Sequence, residues 1–123
     1  MKAPLTLIAT LILAGHLIPV DAKAKEAEPL TDCVSLSDAH QGTRFGSQYL
    51  LLKDGDAHYR LGFGGSCDAL MRSSIVQVAT GGEKNRLCAK GTTVTSRSSY
   101  CTVRSVEKVD ADYYERVARQ NRR

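Results

Sequence analysis

The stretch 48–63, Gln48-Tyr49-Leu50-Leu51-Leu52-Lys53-Asp54-Gly55-Asp56-Ala57-His58-Tyr59-Arg60-Leu61-Gly62-Phe63, decides the fold class. Residues 48–53 are an apolar run of strand length, and Asp54-Gly55-Asp56 turns the chain. Residues 58–63 then alternate with period two. Tyr59, Leu61 and Phe63 share one face, while His58 and Arg60 lie on the other, where His58 is expected to meet solvent. Two such runs around an Asp-Gly turn predict a β-hairpin.

The same texture continues outward from the hairpin. Gly64-Gly65-Ser66 makes a second turn, and Asp68–Arg72 suits a single helical turn after Cys67. Ser74 to Thr80 alternates around Val76 and Val78, and Gly81 to Asn85 forms a loop. Arg86-Leu87-Cys88 and Thr92-Thr93-Val94-Thr95 read as two pieces of one strand broken by a bulge at Gly91. Tyr100-Cys101-Thr102-Val103 is expected to be the last strand. Short strands with turn signals roughly every eight to twelve residues predict a mainly β domain, a small barrel or a sandwich.

At the C-terminus the period changes. Asp112 and Glu115 resemble a capping box, and Tyr113 with Val117 and Tyr114 with Ala118 pair at i, i+4. A short helix over about 112–120 is expected within a C-terminal segment, 110–123, that ends in a basic tail. Arg116, Arg119, Arg122 and Arg123 suit the negative end of the helix dipole.

At the other end, Met1-Lys2 carries a positive charge, Leu5 to Leu13 is almost unbroken apolar sequence, and Val20-Asp21-Ala22 and Ala22-Lys23-Ala24 are small-x-small patterns. That order is the pattern of a secretory signal over residues 1–24. A membrane span needs roughly 20 apolar residues, and this run is shorter and is interrupted at His16 and Pro19. Residues 25–32, polar and containing Pro29, read as a flexible lead-in to a four-cysteine domain at 33–109. Of 17 basic and 13 acidic residues, Lys2, Lys23 and Asp21 fall in the signal, leaving 15 and 12 and a net charge near +3. The excess sits in the tail rather than in a clustered stripe, which argues against nucleic-acid binding.

Cys33, Cys67, Cys88 and Cys101 are an even set in a chain marked for export, which reads as a disulfide framework. Their spacings of 34, 21 and 13 residues lack the close pairs typical of zinc sites, so no metal is expected. Three pairings are open. If the first and last strands of a small sheet lie side by side, Cys33–Cys101 and Cys67–Cys88 follow, worth about 4 and about 3 kcal/mol by loop entropy.

Catalytic candidates are sparse. His40 lies in a polar loop with Asp38, and Ser35, Ser37 and Ser66 have no nucleophile-elbow context. Gly62, Gly64 and Gly65 follow a strand, but no phosphate-loop pattern continues after them. A site needs nucleophile, base and orienting group together, so no catalytic or cofactor-binding residue is assigned and the chain is expected not to be an enzyme. Tyr49, Tyr59, Phe63 and Tyr100 could line a binding face, although in a small barrel such residues are more often core.

Taken in order, Cys33-Val34-Ser35, Tyr59-Arg60-Leu61, Cys67-Asp68-Ala69-Leu70, Arg86-Leu87-Cys88 and Tyr100-Cys101-Thr102-Val103 resemble a family of small exported bacterial proteins known as domain of unknown function 6491. The resemblance covers about 33–109. It departs after the third cysteine, where Ala89-Lys90-Gly91-Thr92 stands in place of a frequent aspartate. It implies a periplasmic or secreted location and brings no activity with it. The expectation is a non-enzymatic binding or structural module of the bacterial envelope, engaging an unknown protein or envelope ligand. The alternative is an inhibitor or stress-related partner of an envelope enzyme.

Overall fold

A computed structural model describes residues 27–72, 76–97 and 99–121. The signal expected over 1–24 lies outside them, as do Arg122 and Arg123. Eleven strands are described: β1 Ala27–Pro29, β2 Val34–Ser35, β3 Gln41–Phe45, β4 Tyr49–Asp54, β5 Ala57–Gly62, β6 Gln77–Thr80, β7 Glu83–Lys84, β8 Arg86–Leu87, β9 Thr92–Thr95, β10 Tyr100–Thr102 and β11 Ser105–Val109. Two helices join them, α1 Asp68–Arg72 and α2 Ala111–Asn121.

The strands form a five-stranded sheet ordered β1-β11-β5-β4-β3, a four-stranded sheet ordered β10-β9-β6-β7, and the pair β2-β8. Every pairing is antiparallel. The protein is mainly β, and its sheets do not close into a barrel. Leu50, Leu52, Leu61 and Val106 of the larger sheet and Val78 and Val94 of the smaller one share one buried cluster, joined by Leu87 and by Leu70 of α1. That is a sandwich core. Fully burying one such side chain contributes about 1.5–3 kcal/mol.

The β4–β5 hairpin forms as expected, with Asp54 opposite Ala57 and Gly55-Asp56 as a two-residue loop. Only Gly55 of that loop has positive φ, at 61°, the pattern of a type II′ turn with glycine first. Leu50, Leu51 and Leu52 are all buried. Alternation sends Leu50 and Leu52 into the sandwich, and Leu51 packs with Tyr114 and Val117 of α2 on the opposite face. A strand covered on both sides reads as a continuous apolar run.

Several expectations are corrected. The lead-in is not loose throughout: Ala27–Pro29 pairs with β11, and Leu30, which donates its N–H to the Val106 carbonyl, is buried. Pro29 and Glu28 blunt that sheet edge. Arg86–Leu87 and Thr92–Thr95 are not one bulged strand. They belong to different sheets, separated where the Thr92 hydroxyl donates to the Cys88 carbonyl at 2.7 Å and accepts from the Cys88 N–H at 2.9 Å. Tyr100–Thr102 is not the last strand, because β11 follows and fills the larger sheet.

Helix α2 starts one residue before Asp112, and its cap is Asp110, whose Oδ1 accepts the Tyr113 N–H at 2.7 Å. Asp112 instead sits in the first turn, where its charge favours the helix dipole. At the far end Asn121 donates to the Arg44 carbonyl and to Thr43 Oγ1, tying α2 over the free edge of β3.

All four cysteines are paired, as Cys33–Cys88 and Cys67–Cys101, not as Cys33–Cys101 and Cys67–Cys88. The reason is register. β2 runs antiparallel to β8 with Val34 opposite Leu87, so the next step along each strand puts Cys33 opposite Cys88, with Cα atoms 4.2 Å apart. Cys67 leads into α1, which packs beside β10 and its Cys101. The bridges span 55 and 34 residues, about 4 kcal/mol each on the chain-entropy account.

Candidate functional site

The outer face of the five-stranded sheet, away from the sandwich core, collects polar and aromatic side chains that the register lays out in rows. One row runs Thr43, Leu51, Arg60, Glu107, and the next runs Phe45, Tyr49, Gly62, Ser105. Helix α2 covers Leu51 and the neighbouring His58. His58 is therefore buried rather than solvent-facing, its ring 5.2 Å from that of Tyr114. Burial, with the Glu115 charge adding to it, pushes the Tyr114 hydroxyl pKa up.

Arg60 is the hinge between the covered row and the open one. Its Nε and Nη2 donate to Glu107 Oε1 at 3.0 and 2.5 Å, and its Nη1 donates to the Tyr113 hydroxyl at 3.0 Å. Burial works to lower its pKa, but the hydrogen bonds to Tyr113 and Glu107 outweigh that and hold it above the ordinary guanidinium value. The same guanidinium lies 5.6 Å from the Tyr49 ring centroid and 5.4 Å from that of Tyr113. Arg116 stands over Tyr113 at 5.7 Å. Phe45 and Tyr49 are a cross-strand pair with centroids 6.0 Å apart, tilted by 40°. The outcome is a continuous ladder, Phe45–Tyr49–Arg60–Tyr113–Arg116, running from the sheet edge onto the exposed side of α2.

Beyond the helix the ladder is open. Phe45 and Tyr49 are 38% and 37% exposed, so each ring is held in place yet keeps accessible surface. Gly62 makes that seat. A Cβ there would stand 2.6 Å from Ser105 Oγ and 3.2 Å from the Tyr49 ring. Tyr49 packs across the strands over a position that has no side chain of its own. On the opposite flank of α2, a groove of about 460 Å³ between Gln41, Gly42, Thr43 and the helix is crossed by the 3.6 Å Lys53–Glu115 ion pair.

The sequence candidates sit elsewhere. Ser37 donates its hydroxyl to Asp54 Oδ1 at 2.5 Å and its N–H to Asp54 Oδ2 at 2.9 Å, while His40 Nδ1 lies 2.7 Å from the Ser37 carbonyl. The serine hydroxyl, then the serine amide, hold the Asp54 pKa below its ordinary value. The imidazole bonds to the backbone rather than to the hydroxyl, so the trio ties a loop to the hairpin turn. Asp38 accepts from Asn85 Nδ2 at 2.7 Å. Ser66 meets Ser47 at 3.1 Å, and Ser35 lies exposed on β2. Gly64, with φ of 75°, is a turn residue before Cys67. Among the described residues no His, Cys, Asp and Glu side chains gather in a group that could hold a metal ion.

Of the four aromatics singled out in sequence, Tyr59 and Phe63 are core, Tyr49 joins the ladder, and Tyr100 stands 68% exposed on the edge strand β10. Sequence reasoning missed Phe45, Arg60, Tyr113 and Arg116 as a group. Its available signal was the period-two placement of Arg60 on the face opposite Tyr59. No helix among the described residues is long and apolar enough to cross a membrane, and the two disulfides fit a non-cytoplasmic setting. No family model, curated protein or solved structure matches the chain.

Proposed function

We propose that this protein is an exported, non-enzymatic binding module of the bacterial envelope, and that its binding face is the Phe45–Arg116 ladder. The observation that carries this reading is the ladder itself: three aromatic rings and two guanidiniums in unbroken contact, open at the sheet end. Such groups are rigid and amphipathic, so they offer contact area at low entropic cost. Two disulfides stiffen the scaffold that presents them. The charged, apolar and small-residue order read over residues 1–24 supports a periplasmic or secreted site of action.

The test is binding of the labelled, disulfide-intact mature chain to isolated bacterial cell envelope. The expected result is saturable binding, competed by unlabelled chain and lost in the double variant Tyr49→Ala/Arg116→Gln. Turnover of an ester, peptide or glycan that depends on His40 or His58 would overturn the reading, as would binding indifferent to the double variant.

A further inference from the structure

We infer that α2 is a hinged strap that leaves the sheet and returns as a unit while the sandwich stays folded, and that an occupant of the ladder holds it closed; the second half rests on the reading of the ladder as the binding face. The molecule is fastened unevenly. Cys33–Cys88 ties the β2–β8 pair, and Cys67–Cys101 ties the start of α1 to β10. Neither bridge reaches α2. Among the described residues α2 joins the sheets only through Asp110, the single residue between Val109 of β11 and Ala111. Its grip on the sheet is the Leu51, Tyr114 and Val117 cluster, which stands apart from the main core, with polar ties mostly at the surface. The Lys53–Glu115 pair spans 3.6 Å between side chains 39% and 42% exposed, and exposed pairs of this kind contribute little. Asn121 reaches Thr43 and the Arg44 carbonyl from an exposed position. The bond from Arg60 to the Tyr113 hydroxyl is part-buried.

A segment held by a satellite cluster and exposed bonds opens at a lower free energy than the whole domain. An eleven-residue helix is marginal alone in water, so leaving the sheet also unwinds α2 and frees its amides to exchange. Opening cuts the ladder in two. Phe45, Tyr49 and Arg60 stay on the sheet, while Tyr113 departs with α2 and its bond to Arg60 breaks. Leu51 and His58 lose their cover. In the closed state the Tyr49 and Tyr113 rings flank one guanidinium, at 5.6 and 5.4 Å from Arg60. A partner that covers Arg60 therefore touches sheet and helix together. It binds the closed state better than the open one and shifts the equilibrium toward it.

The experiment is hydrogen exchange of the disulfide-intact chain, followed by mass spectrometry in low urea. The amides of α2 are expected to exchange at least about a hundredfold faster than those of β6 and β9, with a smaller urea dependence because less surface is exposed. Val117→Ala, in the cluster and outside the ladder, is expected to speed α2 about tenfold and leave β6 and β9 unchanged. Exchange of α2 in step with β6 and β9, or an equal effect of Val117→Ala on all three, overturns the strap. Solubilised bacterial cell envelope is expected to slow α2 about tenfold, and Tyr49→Ala to abolish that slowing. Saturable envelope binding that leaves the α2 rate unchanged overturns the clamp alone. Absence of envelope binding, with α2 still opening by itself, overturns the reading of the ladder and leaves the strap standing.

Discussion

On the inner face of the five-stranded sheet, Leu50, Leu52, Leu61 and Val106 meet Val78 and Val94 across the sandwich, with no charged side chain of the described residues buried among them. On the outer face of the same strands, Leu51 meets Tyr114 and Val117, and the adjacent positions go to His58, Arg60 and Glu107. The inner face belongs to the main core cluster. The outer face has a three-residue cluster under one helix and leaves its last row open. Because strand alternation separates the two faces, core packing and the open aromatic–arginine ladder fall to different residues of one β-strand. Leu52 belongs to the core, and Tyr49, three residues earlier, to the ladder.

The comparison is broken most forcefully by truncating each face in turn. Leu52→Ala leaves a cavity in the main core and is expected to cost about 3–5 kcal/mol. Leu51→Ala, under a helix that can settle toward the sheet, is expected to cost about 2 kcal/mol. Urea unfolding of the two variants checks the order, and a larger loss for Leu51→Ala would mean that α2 is integral to the core. Next comes Arg60→Ala, which removes the Glu107 pair and the Tyr113 bond while leaving the inner face intact. With both partners part-exposed, the expected loss is about 1–2 kcal/mol. Amide exchange should quicken in α2 while that of β6 and β9 stays unchanged.

The smallest effect lies at the hairpin turn, remote from both faces. Hydrogen bonds from Ser37 depress the Asp54 pKa below its ordinary 3.8. The stabilisation is therefore present above that value and is lost as pH falls through the lower folded one. Asp54→Asn is expected to lower stability near neutrality and to flatten its acid limb. Urea midpoints from pH ~7 to pH ~2 for variant and wild type test the sign.

How much of this was legible in the sequence follows from the range of each interaction. The β4–β5 hairpin was readable because an alternating strand and its turn signal are neighbours in the chain. α2 was readable to within a residue from its i, i+4 pairs, although the cap fell on Asp110. The fate of the outer face was not readable. His58 and Arg60 look solvent-facing until a helix some fifty residues away covers them, and nothing local to β5 announces that cover. β1 and β11 escaped for the same reason: Ala-Glu-Pro becomes a strand only because β11 offers it an edge. The cysteine pairing failed because it assumed adjacent first and last strands, whereas β2 lies against β8. The ladder needs β3, β4, β5 and α2 assembled before Phe45, Arg60 and Arg116 become neighbours at all.

The most direct measurement of the division between faces is a side-chain NMR map of the disulfide-intact chain titrated with solubilised bacterial cell envelope. The expected result is saturable shifts in the rings of Phe45, Tyr49 and Tyr113 and in the guanidinium of Arg116, with the methyls of Leu52, Val78 and Val94 unmoved. Shifts centred on exposed Tyr100 of β10, with the ladder silent, would contradict the assignment of the outer face as the surface that works.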